Sequence, residues 1–108
     1  MTPTVFFTTR RLSLHGQPLP PSLSYTRMHQ CHSNRVVTVS QPTYPTYINN
    51  CDALITQSTH HVLVVKTADC LPVLIYKPPI TLAAVHAGRR GTEKLITQNM
   101  MENLLLIK

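Results

Sequence analysis

The chain has 108 residues, of which 43% are hydrophobic, and ten Lys and Arg against four Asp and Glu give it a formal charge of +6. This length suits one domain or part of one, and the apolar fraction excludes a compositionally disordered chain. No apolar run approaches the roughly 20 residues needed to cross a bilayer, and the basic residues are too dispersed and the aromatics too few for a nucleic-acid face.

A basic balance favours small anionic partners such as phosphates and nucleotides. The longest basic runs are the pairs Arg10-Arg11 and Arg89-Arg90, and no acidic residue precedes Asp52. Cys31, Cys51 and Cys70 are odd in number and widely spaced, which argues against a disulfide framework and for a reducing, cytoplasmic setting. Near the N-terminus only Val5-Phe6-Phe7 is apolar, too short for a secretory leader.

Residues 1–22 are poorly patterned and end in Pro18-Leu19-Pro20-Pro21; the ordered core is expected over 23–108. Ser24 to Gln30 reads as a short strand, and Val36 to Val39 as a β-branched one. Gln41 to Asn50, with two prolines and Asn49-Asn50, reads as a loop. Further strands are expected at Asp52 to Thr56, His61 to Lys66 and Thr81 to His86. A continuously apolar strand, Leu71 to Tyr76, is expected to be covered on both faces. The period then changes. Thr92 is placed to cap a helix, whose apolar face is Ile96, Met100, Leu104 and Ile107. That face is expected to lack a covering layer, which implies self-association or a partner chain.

Three segments place a His or Cys where a strand hands over to a turn: Gln30 to Val37 with His32, Thr67 to Pro72 with Cys70, and Val85 to Gly91 with His86. Two imidazoles and a thiolate suit zinc and leave a fourth position open to water or substrate. Spacing alone keeps other readings open. Cys70 could be a buried small residue and the histidines satisfied polar groups, or Cys70 could be a metal-free nucleophile with His32 or His86 as its base. Asp69 could orient a histidine, hold substrate or serve only as a turn residue. Gly88 and Gly91 flank Arg89 and Arg90, so the exposed amides and the guanidinium of Arg90 could hold phosphate. An ordinary solvated turn fits the same residues.

Taken together, these segments closely resemble the laccase-domain family, also called multicopper polyphenol oxidase or YfiH-like proteins. His32 corresponds to the histidine of a Gln-Val-His-Gly-Asn-Arg-Val type segment. Asp52-Ala53-Leu54-Ile55-Thr56 corresponds to an Asp-Ala-Leu-Val-Thr strand. Thr67 to Val73 corresponds to the cysteine segment, and His86-Ala87-Gly88 with Arg90-Gly91 to a His-Ala-Gly-Trp-Arg-Gly turn. Four motifs in order make the match specific. Ser33 stands in place of the family's glycine, Arg89 in place of its tryptophan and Cys31 in place of an apolar residue.

The resemblance implies a mixed β-sheet with packed helices, α+β in class, as a partial version of a layered α/β/β/α domain. It implies zinc held by His32, Cys70 and His86, with Asp69, Cys70 and Arg90 in catalysis and Gly88, Arg90 and Gly91 at phosphate. The implied activity is purine nucleoside phosphorolysis, or adenosine deamination, on adenosine, inosine or methylthioadenosine. Three N/S donors do not make a multicopper centre. The family domain is considerably longer, so a truncated member with an incomplete pocket is expected, and a non-catalytic domain that needs a partner chain is the alternative that follows.

Overall fold

The structure, a computed structural model, describes residues 3–5, 24–40, 46–67 and 70–107. Apart from 3–5, the poorly patterned segment over 1–22 lies outside the described residues, and so does Asp69. Seven strands and two helices follow in chain order: β1 (Ser24–Met28), β2 (Val36–Val39), β3 (Thr46–Ile48), β4 (Ala53–Thr56), β5 (His61–Leu63), β6 (Leu71–Lys77), β7 (Thr81–Ala87), α1 (Arg89–Glu93) and α2 (Ile96–Leu105). They form a three-stranded sheet in the order β3-β1-β5 and a four-stranded sheet in the order β2-β4-β7-β6. The first is parallel throughout; in the second β2 and β4 are parallel, and β7 is antiparallel to both β4 and β6. The class is α+β, as expected.

Period-two alternation sorts β4 between two cores. Ala53 and Ile55 join Ala83, Val85, Ala87, Ile96, Met100 and Leu104 between the four-stranded sheet and α2. Leu54 points the other way, into a cluster with Met28, Val39 and Cys51 between the two sheets. All four residues of β4 are therefore buried, and the layers run helix, sheet, sheet.

Several expectations are corrected. Thr46–Ile48, inside the stretch read as a loop, is a strand paired with β1; three residues are too few for periodicity to outweigh the turn residues around them. The apolar run at Leu71 is not covered on both faces. It forms the edge strand β6, with Leu71, Leu74 and Tyr76 exposed, and Pro72 is tolerated because an edge strand can forgo a ladder donor. The strands that are buried through the sheet are β4 and β7. Strand β5 is shorter than its apolar run. The Val64 amide still donates to the Thr26 carbonyl of β1 at 3.0 Å; beyond it Gln30 clamps Lys66, its side-chain amide donating to the Lys66 carbonyl and its carbonyl accepting the Lys66 amide.

The single helix expected after Gly91 is two. Thr92 is no cap but lies within α1, its amide donating to the Gly88 carbonyl. Leu95, left-handed at φ 63°, turns the chain into α2. The face made by Ile96, Met100, Leu104 and Ile107 is not left bare, because it packs on β7 and β2, and Ile96 and Met100 are fully buried. The exposed apolar residues of this region are others: Leu95, Met101, Leu105 and Leu106. Lys77 Nζ donates to the Leu104 and Ile107 carbonyls at 2.7 and 2.5 Å, which satisfies the open end of α2 and places a cation at its negative pole.

Met100→Ala removes a fully buried side chain and is expected to cost about 2–5 kcal/mol. Leu105→Ala, at a residue 81% exposed, should stay within about 0.5 kcal/mol. Urea unfolding of the two variants measures the difference.

Candidate metal centre

Sheet register assembles the site. Ala53 pairs with Val85, so the next step outward sets Asp52 against His86, and the His86 amide donates to the Asp52 carbonyl at 2.7 Å. Leu71 pairs with Ala87, so the following step sets Cys70 against Gly88. Along β7, Val85 and Ala87 face the helix layer, and alternation turns His86 to the opposite face.

His32 arrives from the β1–β2 connection, which is drawn around the carboxylate of Asp52. The amides of Cys31 and Ser33 donate to Asp52 Oδ1 at 3.1 and 2.8 Å, and the Ser33 hydroxyl donates to the same oxygen at 2.8 Å. The His32 amide donates to Oδ2 at 3.1 Å. Three successive amides converge on one anion only if the backbone alternates in hand, and His32 takes the left-handed conformation at φ 62°. Lys94 Nζ reaches the His32 carbonyl at 3.3 Å, Asn34 donates to the Lys94 carbonyl and Asn99 to the Asn34 carbonyl, which ties the loop to both helices.

The result is that His32, Cys70 and His86 bring one ligand atom each within 4.8 Å of one another. The His32 and His86 rings are 5.3 Å apart and tilted by 57°. His32 is exposed, Cys70 half-buried and His86 buried, so the cluster opens to solvent on one side. Gly88 makes the room: a Cβ there would stand 2.9 Å from Cys70 Sγ and 3.3 Å from His32 Nδ1. Two imidazoles and a thiol at this spacing, beside backbone that carries no side chain, fit a single ion with an open position.

The other expected site residues are placed differently. Arg90 is exposed on α1, two residues beyond Gly88. Gly91 lies inside α1, buried against Ile96, the Ser33 carbonyl and the His86 carbonyl. Helix α1 has five residues, with Gly88 at its N-cap and Arg90 and Gly91 inside it. His61 belongs elsewhere: burial lowers its pKa, and both ring nitrogens are engaged, Nδ1 by the Ser24 hydroxyl at 2.7 Å and Nε2 by the Thr26 hydroxyl at 2.6 Å.

Sequence reasoning missed Asp52, which it placed only as the start of a strand. Asp52 is fully buried, and its Oδ2 is 2.7 Å from His86 Nδ1. Burial by itself would raise this carboxyl. The hydrogen bonds from His86, Ser33 and Cys31 outweigh it and hold the pKa down at about 2 instead of 3.8. The one available signal was a carboxylate heading a strand whose other residues are apolar, where a buried charge has to be partnered. Next to it, burial pushes the Cys51 thiol up to about 11.

A family model for multi-copper polyphenol oxidoreductase laccase matches residues 7–106. A Mycobacterium tuberculosis protein named purine nucleoside phosphorylase is 39% identical over 79 residues, covering 72% of this chain and 31% of that protein. A Campylobacter jejuni protein of the same name is 28% identical over 104 residues, covering 89% of this chain and 44% of the relative. A solved structure of a Neisseria meningitidis protein, of a family known as a domain of unknown function, superposes with a TM-score of 0.58 at 30% identity, over 76% of this chain and 34% of the other. The chain thus spans less than half the length of the curated relatives described.

Gly88→Ala is expected to push Cys70 and His32 apart. Overpacking should cost about 1–3 kcal/mol in urea unfolding, and affinity for an added divalent metal ion should fall roughly tenfold or more in competition with a chelator. For Asp52 the folded pKa is depressed, so its contribution to stability is complete above 3.8 and is lost as pH falls toward about 2. In thermal melts of the metal-free chain Asp52 should therefore add a steep drop below about pH 4 to the earlier decline that buried His61 brings as pH falls below 6.5.

Proposed function

Because this chain belongs to the multi-copper polyphenol oxidoreductase laccase family, we propose that it is the metal-bearing part of a zinc-dependent purine nucleoside phosphorylase. The observation that carries the proposal is the convergence of His32, Cys70 and His86 within 4.8 Å. Relatives that bear the phosphorylase name support the reaction class. The donor set is that of one ion, since three N/S donors gather at a single point among the described residues. A copper cluster would need more of them.

When bound, such an ion would supply Lewis-acid polarisation of a substrate or water oxygen. The chain's own residues do the rest. His32 and the half-buried Cys70 hold the open side of the site, and buried His86 anchors its floor. Phosphate is assigned to the exposed guanidinium of Arg90, a bidentate donor, and to the backbone at Gly88 and Gly91. Asp69 is assigned proton transfer or the orientation of a metal-binding histidine. Adenosine, inosine and methylthioadenosine are the proposed nucleosides, and deamination of adenosine is a second outcome at the same site. Three free thiols support a cytoplasmic setting, and no helix among the described residues is long and apolar enough to cross a membrane.

Purified protein is expected to carry about one zinc per chain, to lose it on Cys70→Ala, and to release purine base from adenosine or inosine only with phosphate present. Arg90→Ala should raise the phosphate KM and leave zinc content unchanged. Activity that survives chelation but not thiol alkylation would replace the metal with Cys70 as a nucleophile. Metal-free, inactive protein would leave a non-catalytic domain.

A further inference from the structure

We infer that Asp52 is a positioning residue of the metal centre: through its two carboxylate oxygens it dictates which nitrogen of His86 is free to bind a metal and where His32 stands. The inference rests on the metal reading above and concerns a residue that provides none of the three donors.

The argument lies in how the two oxygens divide their partners. Oδ1 accepts from the Cys31 amide, the Ser33 amide and the Ser33 hydroxyl, with the Cys31 thiol at 3.7 Å. Oδ2 accepts from the His32 amide at 3.1 Å and lies 2.7 Å from His86 Nδ1. Backbone amides can only donate, so both oxygens act as acceptors and His86 Nδ1 gives the proton. His86 is thereby held in the Nδ1–H tautomer, and its lone pair is on Nε2, the nitrogen left for the cluster with Cys70 and His32. Donation of this kind fixes ring orientation and strengthens the imidazole as a ligand. The same Oδ2 holds the amide of His32, the residue with φ 62°, so one atom positions two ligands from two elements. The fully buried carboxylate is in this way both the fold's internal anion and the device that aims the site.

Asp52→Asn separates these roles. With its oxygen toward the loop, the new amide keeps the Oδ1 bonds, but its NH₂ stands where Oδ2 stood and faces two N–H groups. His86 relieves one clash by moving its proton to Nε2, which removes the lone pair from the cluster. Histidine side-chain ¹⁵N–¹H spectra of the metal-free wild-type chain should show His86 as Nδ1–H, and those of Asp52→Asn should show Nε2–H. Zn²⁺ affinity, by chelator competition, should fall roughly 10–100-fold. Ser33→Ala deletes one donor to Oδ1 and the acceptor of the Arg35 amide but leaves both Oδ2 bonds; it should lower the melting temperature and leave the His86 tautomer as in the wild type. The inference is overturned if wild-type His86 is Nε2–H, which is readable even if Asp52→Asn does not fold, or if folded Asp52→Asn keeps wild-type Zn²⁺ affinity. Because the tautomer is read without metal, a wild-type chain that binds no zinc would end the zinc reading, while the spectra would still decide whether Asp52 sets the nitrogen that His86 leaves free.

Discussion

A single buried anion organises this chain. Asp52 has no solvent exposure, and leaving a charge in that position without partners would be strongly unfavourable. The fold answers with four donors from one loop and one from a histidine. The loop from Cys31 to Ser33 has little apolar area to hold it, and it is ordered chiefly because its amides are needed by the carboxylate. The unusual backbone of His32 follows from the same demand.

That anion sits where the packing is most constrained. Strand β4, which begins one residue after Asp52, faces α2 with Ala53 and Ile55 and the second sheet with Leu54. Its neighbour β7 is nearly as buried. Two core strands therefore set the spacing between Asp52 and His86, and the antiparallel pairing of β6 with β7 sets that between Cys70 and Gly88. Donors on rigid ladders, with one donor on a loop strapped to them, form a site that is built by the folding of the core. Gly88 shows how tight the arrangement is, because a single methyl group there would occupy the space between two donors.

The helices act on the site from behind. Helix α2 fills the outer core with Ile96, Met100 and Leu104, and Lys77 secures its far end. At its near end, Asn34, Lys94 and Asn99 join the ligand loop to the helical layer. Packing energy in the core and hydrogen bonds at the loop thus support the same few atoms.

The local sequence determined most of the strands, the apolar face of α2 and the three candidate ligands, because these are written in short-range terms: β-branched runs, helical spacing, and His or Cys at strand ends within recognisable segments. What it left open needed neighbours. Nothing in the run from Leu71 to Tyr76 says whether a strand lies on its far side, so an edge was read as an interior. Thr46–Ile48 became a strand only because β1 was there to pair with it. Thr92 had the chemistry of a cap, but the turn into α1 had already begun at Gly88. Above all, the part played by Asp52 was decided by tertiary structure alone. Its partners lie 19 to 34 residues away, and a carboxylate acquires its role from the donors that the fold brings around it, which no stretch of sequence beside it contains.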